Sequence, residues 1–273
     1  MKKTLIVLMM VLLSAMFIVS CNNNANSPVI HKVTFDPDNN SEATVKEVND
    51  GDTVSEPAAP TKTGYIFAGW YEGETKFEST TKITKDYSLK AKWILLPVVG
   101  DTVEYGKYPD DYDVADLKGD AVTWKVLRVD AANSRILVIS ENVLEKRVWN
   151  STIISSYGDA SVRTYLNDDI YNNYSLSSCK NILNVDTDGN AGSGSDHLFL
   201  LSDTEVSTYF GTNSKAASYN GTVTTWWLRT CTYNSYISSY QTQYVNERGN
   251  IAEHDPTNGS LGLRPAMWVS LTN

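Results

Sequence analysis

Residues 226–229 read Trp-Trp-Leu-Arg and residues 261–269 read Leu-Gly-Leu-Arg-Pro-Ala-Met-Trp-Val, and between them lie 31 residues with the sequence TCTYNSYISSYQTQYVNERGNIAEHDPTNGS. The apolar flanks are predicted to be strands of a core. Within the interval Tyr, Asn, Ser and Thr each occur four times, and only Ile237, Val245 and Ile251 are aliphatic residues larger than alanine. Because the interval has little to bury, we expect it to lie over a scaffold that its flanks build.

The composition of this Tyr-rich segment (residues 230–260) is typical of surfaces that contact other molecules. Tyrosine offers a large amphipathic contact area and loses little rotamer entropy, while Ser, Thr and Asn adapt their hydrogen bonds to a partner. The alternative is a polar surface loop with half-buried tyrosines. The predicted contact positions are Tyr233, Asn234, Ser235, Tyr236, Ser238, Tyr240, Thr242, Tyr244, Asn246 and His254.

Upstream of the Tyr-rich segment, alternating apolar residues predict strands and helical spacing predicts short helices. The first two predicted strands read as a hairpin, and the third is a buried apolar run. The elements are the strands 122–129, 135–139 and 197–202, a helix over 161–167 with Ser161 as candidate cap, and a helix capped by Asp203 that ends at Phe210.

Residues 31–93 carry a separate pattern of short strands and turns. The segment closes with residues 87–93, in which apolar and basic side chains alternate as in a half-exposed strand. A module of about 63 residues has a small core. We expect four aromatic residues to fill it: Phe35, Tyr65, Trp70 and Trp93.

The N-terminus, residues 1–21, reads MKKTLIVLMMVLLSAMFIVSC. Two lysines precede an apolar run of 15 residues, which is short for a membrane span and fits the core of a signal peptide. Ser20 before Cys21 resembles the bacterial lipobox, which implies cleavage before Cys21 and lipidation of its sulfur. An ordinary secretory signal is the alternative. We therefore predict a lipoprotein signal peptide over residues 1–20 and a flexible tether over residues 21–30.

The module of residues 31–93 resembles the Listeria–Bacteroides repeat, known from internalin B-type repeats. The resemblance is carried by residues 33–36 (VTFD), 60–71 (PTKTGYIFAGWY) and 89–93 (LKAKW). It implies a β-grasp-like fold that serves as a spacer or adhesion module on bacterial surface proteins. A stalk with no ligand of its own is the simpler interpretation.

The remainder, residues 100–273, resembles bacterial extracellular domains with C-type-lectin-like topology, related to the formylglycine-generating fold. The matching stretches at its end are residues 226–229, 245–249 and 263–268. Within that group the chain is most similar to variable lipoproteins of diversity-generating retroelements. In that family, error-prone copying at template adenines converts Asn codons to Tyr, Ser, Thr or His codons on a tolerant scaffold. The Thr230-Cys231 pair departs from the Ser-Pro that related domains usually have.

Several other chemistries are disfavoured by the residues. The net charge of −9, with no Lys/Arg-rich run, makes nucleic acid an unfavourable binding partner, because its phosphates would be repelled. Formylglycine-generating catalysis needs reactive cysteines or a copper–thiolate site, and after lipidation only Cys179 and Cys231 remain, which could instead pair as a disulfide. Residues 186–190 hint at a calcium loop, but Ala191 and His197 break the EF-hand register.

His254 and two arginines are interpreted as non-catalytic residues. His254 lies between two acids, but no nucleophile elbow accompanies it, so a contact role is favoured over a hydrolase triad. Arg229 and Arg264 follow apolar strand residues and are expected to donate to backbone carbonyls rather than to a substrate.

The sequence thus predicts an α+β protein in which a small β-grasp-like module (31–93) precedes a C-type-lectin-like ligand-binding domain (100–273). We expect a monomeric, lipid-anchored, outward-facing envelope protein, most simply in the outer membrane, that is not an enzyme and needs no cofactor or metal. Its partner would be a protein or a glycan. The alternatives are an extracellular enzyme of formylglycine-generating-like fold and a purely structural envelope lipoprotein.

Overall fold

The structure is a computed structural model that describes residues 28–112, 117–186, 195–211, 214–257 and 259–272. It is 42% strand and 14% helix. The predicted α+β class with a C-type-lectin-like domain is therefore wrong, and the fold is β-rich. The physical reason is that runs rich in β-branched and aromatic residues, which favour strands, form most of the elements, whereas helical spacing persists only over short stretches.

The N-terminal module is one five-stranded mixed sheet. Its strand order is β2-β1-β5-β3-β4, in which β1 and β5 run parallel and the other neighbours are antiparallel. The strands are β1 (Ile30–Asp36), β2 (Thr44–Asn49), β3 (Tyr65–Glu72), β4 (Thr75–Lys76) and β5 (Tyr87–Leu95).

The core of this module is aromatic, as the sequence predicts, with one exception. Phe35 and Trp70 are buried, and their rings meet edge-on with centroids 5.1 Å apart. Trp93 packs against the same cluster. Tyr65 does not: 38% of it is exposed, because it lies at the end of β3 opposite Leu95. Its predicted core role is wrong, and Lys62 lies over its ring instead, 5.0 Å from the centroid.

The second domain is also built from strands. It contains a four-stranded sheet of order β18-β8-β7-β6, a five-stranded sheet of order β16-β15-β14-β17-β9, and two short ribbons, β10-β11 and β12-β13. The strands are β6 (Thr102–Lys107), β7 (Ala121–Asp130), β8 (Arg135–Ser140), β9 (Glu145–Arg147), β10 (Val185–Asp186), β11 (Ser195–Asp196), β12 (Ala217–Tyr219), β13 (Thr222–Thr224), β14 (Trp226–Asn234), β15 (Ser239–Val245), β16 (Ile251–His254), β17 (Leu261–Leu263) and β18 (Ala266–Ser270).

Helical structure in this domain is short. The predicted helix over 161–167 begins as α1 (Ser161–Tyr165), passes into a π-helix (Leu166–Ile170) and ends as α2 (Tyr171–Asn173). The second is α3 (Asp203–Phe210), whose cap is Ser202 in a capping box with Glu205, rather than Asp203. Single 3₁₀ turns occupy Ala131–Asn133, Tyr157–Asp159 and Leu176–Ser178.

Residues 198–201 are fully or almost fully buried, as predicted, but they form a single bridge from Phe199 to Ala266 and no continuous strand. The domain core is one large cluster that includes four fully buried tryptophans, Trp124, Trp149, Trp226 and Trp227. Two of these tryptophans begin β14, so the base of the Tyr-rich segment is fixed in the core.

Candidate functional site

The Tyr-rich segment folds as a hairpin followed by a third strand. β14 pairs with β15 from Trp226 opposite Val245 to Asn234 opposite Ser239, with a bulge between Trp227 and Cys231. β16 then pairs with β15 on its other side. Most of the Tyr-rich segment is therefore part of a β-sheet. It extends from the buried flanking residues, which were predicted to form core strands.

The base of this hairpin is held by indole hydrogen bonds. Trp226 Nε1 donates to the Lys215 carbonyl at 3.0 Å, and Trp227 Nε1 donates to the Arg147 carbonyl at 2.8 Å. From the opposite direction, Trp149 Nε1 donates to the carbonyl of Leu228 at 2.9 Å. Buried aromatic rings whose polar atoms are satisfied give a rigid base.

The far end of the hairpin, which we call the hairpin tip (residues 233–240), is the exposed part. Tyr236 is 98% exposed, Tyr233 58% and Ile237 57%. The turn itself is fixed, because the Asn234 side-chain oxygen accepts the backbone N–H of Tyr236 at 3.0 Å. Ser238 adopts a left-handed conformation with φ of 52°. Large apolar side chains thus stand in solvent on a constrained backbone.

One face of the hairpin is aromatic. Cross-strand partners share a face of a sheet, and the rings of Tyr233 and Tyr240 meet edge-on with centroids 5.2 Å apart. Nearer the base, His254 packs edge-on between Trp227 and Tyr244, with both centroid distances 5.9 Å. Tyrosine therefore changes role along this face, from core packing at Tyr244 to partial exposure at the hairpin tip.

The opposite face is polar and centres on Glu253 of β16. Its carboxylate accepts a hydrogen bond from the Thr232 hydroxyl at 2.9 Å and one from the Asn234 amide at 3.3 Å. Asn234 thus connects Glu253 with the backbone of Tyr236. This chain of contacts joins β16 to the turn of the hairpin tip.

The predicted contact positions fall into three groups. Thr242 is fully buried, and the Asn246 side chain accepts the N–H groups of Arg248 and Asn250, both at 3.0 Å, and so closes the turn before β16. Neither side chain is presented to a ligand in this arrangement. Thr242 lies on the aromatic face but nearer the base than Tyr240, where β14 and β16 pair with β15 on both sides, and Asn246 is used by its own turn. Tyr233, Ser235, Tyr236 and Ser238 are exposed, whereas Asn234, Tyr240, Tyr244 and His254 are half-buried.

Both arginines donate to backbone carbonyls, as predicted. Arg264 is almost fully buried and donates to the carbonyls of Ser140 (2.9 Å), Glu141 (3.2 Å) and Lys215 (3.4 Å), and burial lowers its pKa to about 10. Arg229 donates to the Leu200 carbonyl at 2.8 Å and also to the carboxylate of Glu205. These side chains tie β14 and the segment after β17 to their neighbours.

Cys179 and Cys231 are free thiols, so the disulfide considered from the sequence is not formed. Cys231 lies on the aromatic face opposite Thr242, and its Sγ is 3.3 Å from the Ile154 carbonyl. Burial raises the pKa of the Cys231 thiol. A thiol with a raised pKa is a weak nucleophile at neutral pH.

The described ranges contain no group of three or more His, Cys, Asp or Glu side chains arranged to hold a metal ion. Likewise, no helix among the described residues is long and apolar enough to cross a membrane. The lipidation residue Cys21, the signal peptide and most of the calcium-like stretch 186–190 lie outside the described residues.

Sequence reasoning missed Glu253 as a member of the site. The signal was available in the alternation of residues 251–254, which would put Glu253 and His254 on opposite faces of a strand. What the sequence did not supply was the register of β16 against β15, which sets Glu253 beside Thr232 and Asn234.

Comparison with known families divides the chain in the same way. Residues 133–271 match the family model described as a domain of unknown function, DUF6273, and since this match covers just over half of the chain, the protein belongs to that family. Residues 31–92 match the Listeria-Bacteroides repeat domain, which confirms the resemblance seen in that module.

Similar curated proteins are two from Evansella cellulosilytica, described as a putative Gly-rich membrane protein and a putative membrane protein. Each is 32% identical over 68 residues, which is 23% of this chain. The match covers 8% of the first relative and 10% of the second, so the chain spans only a small part of their length. No solved structure matches the chain significantly.

Proposed function

We propose that this protein is a non-enzymatic binding protein of the bacterial surface, which contacts a protein or glycan through the hairpin tip. The observation that carries the proposal is the exposure of Tyr233 and Tyr236 on a backbone fixed by Asn234. A rigid, exposed tyrosine lowers the entropy lost on binding, and aromatic anchors contribute most of the free energy at many interfaces. The half-buried Tyr240 extends the same surface.

The chemistry of the side chains at the hairpin tip also supports a binding role. The residues at the hairpin tip are aromatic, aliphatic or neutral polar, and burial raises the pKa of the nearby Cys231 thiol. A tip that projects from the sheet also differs from the concave pockets that enclose small substrates. The binding role is therefore favoured over the enzyme alternative.

The binding test compares the full chain, purified in detergent, with a Tyr233→Ala/Tyr236→Ala double variant. The probes are an array of glycans and an array of extracellular protein domains. Loss of one anchor tyrosine is expected to cost about 2 kcal/mol, or about thirtyfold in affinity, for a probe that uses it. The matched control is Tyr65→Ala, which removes an exposed tyrosine from the other module. Probes bound equally by all three proteins, or no bound probe, would contradict the proposal.

We also propose that Cys21 carries the lipid anchor and that the protein is held at the outer membrane, facing outward. The support is the sequence at residues 1–21 and the description of two relatives as membrane proteins. Several acyl chains hold a protein at a bilayer, since each buried CH₂ contributes about 0.8 kcal/mol. Cys21→Ser should prevent incorporation of radiolabelled palmitate and release the protein from the membrane fraction. Retention of both label and membrane association would rule out this anchor.

A finer part of the proposal is that the Tyr-rich segment is diversified by a retroelement. The support is its composition, with Tyr, Asn, Ser and Thr at 16 of 31 positions. The genomic neighbourhood tests it. A near-copy of the DNA for residues 230–260, differing only at adenines and beside a reverse transcriptase gene, is the expected finding. A genomic neighbourhood with neither the near-copy nor the reverse transcriptase gene would contradict diversification by a retroelement. The binding role would then be tested by the glycan and protein arrays alone.

A further inference from the structure

The carboxylate of Glu253 has unused binding capacity at the surface of the hairpin. It accepts hydrogen bonds from two neutral donors, the hydroxyl of Thr232 and the amide of Asn234. No Lys, Arg or His among the described residues forms an ion pair with it. A carboxylate offers about four acceptor sites, so about two remain open to a charged donor. Glu253 is exposed, and an approaching group can reach it.

Asn234 connects this carboxylate to the backbone of an exposed aromatic residue. Glu253 holds the Asn234 amide, and Asn234 in turn holds the backbone N–H of Tyr236, whose side chain is 98% exposed. A carboxylate together with an accessible aromatic face is the combination that binds an ammonium or guanidinium group, by a charge-assisted hydrogen bond and by cation–π attraction.

The surrounding charge favours the same class of ligand. The protein carries a net charge of −9. The Tyr-rich segment itself contains Glu247, Glu253 and Asp255 against Arg248. An anionic partner would be repelled, and a neutral partner seated on Glu253 would desolvate its charge without compensating it. A basic partner is attracted over a distance and neutralises the carboxylate on contact.

We propose that the hairpin tip recognises an arginine side chain on a basic segment of a partner protein. In this arrangement the guanidinium donates to the carboxylate of Glu253 and stacks on the ring of Tyr236. Arginine fits better than lysine because its planar guanidinium can both stack on a ring and donate two parallel hydrogen bonds. The inference rests on the proposed binding function and names the chemistry of its ligand.

The test uses fluorescent 12-residue peptides in matched pairs that carry either arginine or citrulline, its neutral isostere, at the same positions. Fluorescence anisotropy with the full chain is expected to show at least tenfold tighter binding of the arginine peptides. Glu253→Gln, which keeps the shape of the side chain, is expected to remove most of that preference and to leave citrulline peptides unaffected. Tyr236→Ala should weaken binding of the arginine peptides at least fivefold.

Glu247→Gln is the matched control, because it changes the net charge by the same amount in the neighbouring turn. Equal effects of Glu247→Gln and Glu253→Gln would show general attraction to an acidic protein and overturn the proposal. So would equal affinity for both members of each peptide pair, or no binding of arginine peptides at millimolar concentration. If tyrosine substitutions still abolish binding to a glycan on the arrays, the binding function stands and only the ligand class assigned here fails.

Discussion

Tyr236 and Trp227 show how position in one hairpin decides the role of an aromatic residue. Trp227 is fully buried, and its indole donates to the Arg147 carbonyl. Tyr236, at the other end of the same hairpin, has almost its whole surface in solvent. The first side chain contributes to stability, and the second is available for contact at no cost to the core.

Tyr236→Ala is expected to change the free energy of unfolding by less than about 0.5 kcal/mol, because the side chain leaves no cavity. Trp227→Ala is expected to lower it by about 3–5 kcal/mol, since it removes a large buried ring. Urea denaturation followed by circular dichroism measures both. A substantial loss of stability for Tyr236→Ala would mean that this ring packs against the protein in solution.

Tyr165 provides a test through pH. Its hydroxyl donates to Glu145 Oε2 at 2.6 Å, and burial together with this carboxylate raises its pKa from 10.0 to about 12. A raised pKa means that the stabilisation is fully present below pH 10 and is lost as the pH rises through about 12, because the unfolded chain gives up the proton first.

The free energy of unfolding of wild type should therefore exceed that of Tyr165→Phe at neutral pH, and the difference should shrink between pH 10 and 12. Urea unfolding at a series of pH values measures this difference. A constant difference for Tyr165→Phe across this range would contradict the assignment.

For single residues, the sequence indicates which side chains are chemically suited to contact a partner, but not which of them are exposed. Its composition singled out Tyr233 and Tyr236, which are exposed, but also Thr242 and Asn246, which are used by the core and by a turn. Strand register does not explain the burial of Thr242, because it shares one face of the hairpin with Tyr233. Position along the hairpin decides the exposure, since β16 pairs with β15 from Thr242 to Val245 and the hairpin tip lies beyond this pairing. The sequence does not mark where the pairing of β16 with β15 ends.

Among the secondary-structure elements, the short strand β17 lies between β14 of the hairpin and β9 in the five-stranded sheet. Gly262 pairs with Trp226 of β14 on one side and with Lys146 of β9 on the other. A Cβ atom at Gly262 would lie 2.6 Å from a Val143 methyl group and 2.8 Å from the Thr225 carbonyl oxygen. The position therefore requires a residue without a side chain.

Gly262→Ala should lower the free energy of unfolding by about 1–3 kcal/mol, because the backbone oxygen of Thr225 cannot move away as a flexible side chain would. Denaturant titration measures the loss. Ser260→Ala, an exposed change in the same connection, should be nearly neutral. Equal stability of the two variants would show that β17 can shift to accommodate the methyl group.

Strands in which apolar and polar residues alternate were predictable from the sequence. The hairpin expected from residues 122–139 is present as β7 and β8 around a 3₁₀ turn. Residues 197–202 were harder, because a short apolar run indicates burial without specifying a paired strand. The α+β class failed because the helices are short. Helices do begin at Ser161 and Asp203, but the predicted caps are wrong, since the N-cap residues are Ala160 and Ser202, and α1 and α3 contain only five and eight residues.

At the scale of the whole molecule, the two matched families correspond to two separate hydrophobic cores. One consists of buried residues from Val33 to Ala91, and the other of buried residues from Tyr108 to Val269. The first core has its own buried tryptophan and one five-stranded sheet, and the second has four buried tryptophans, a four-stranded sheet and a five-stranded sheet. Domains with separate cores can unfold in separate steps.

Phe35→Ala tests this separation, because Phe35 is fully buried and its ring meets those of Trp70 and Phe77. The substitution is expected to lower the free energy of unfolding of the repeat module by about 3–5 kcal/mol and to leave the second domain unchanged. Amide hydrogen exchange read by mass spectrometry should accelerate in residues 30–95 and stay unchanged in residues 121–140 and 226–254. Arginine-peptide binding at the hairpin tip should also be unchanged, since every residue assigned to it belongs to the second core or its surface. Faster exchange in both regions would show that the cores unfold as one cooperative unit, and that the repeat supports the binding domain rather than only carrying it.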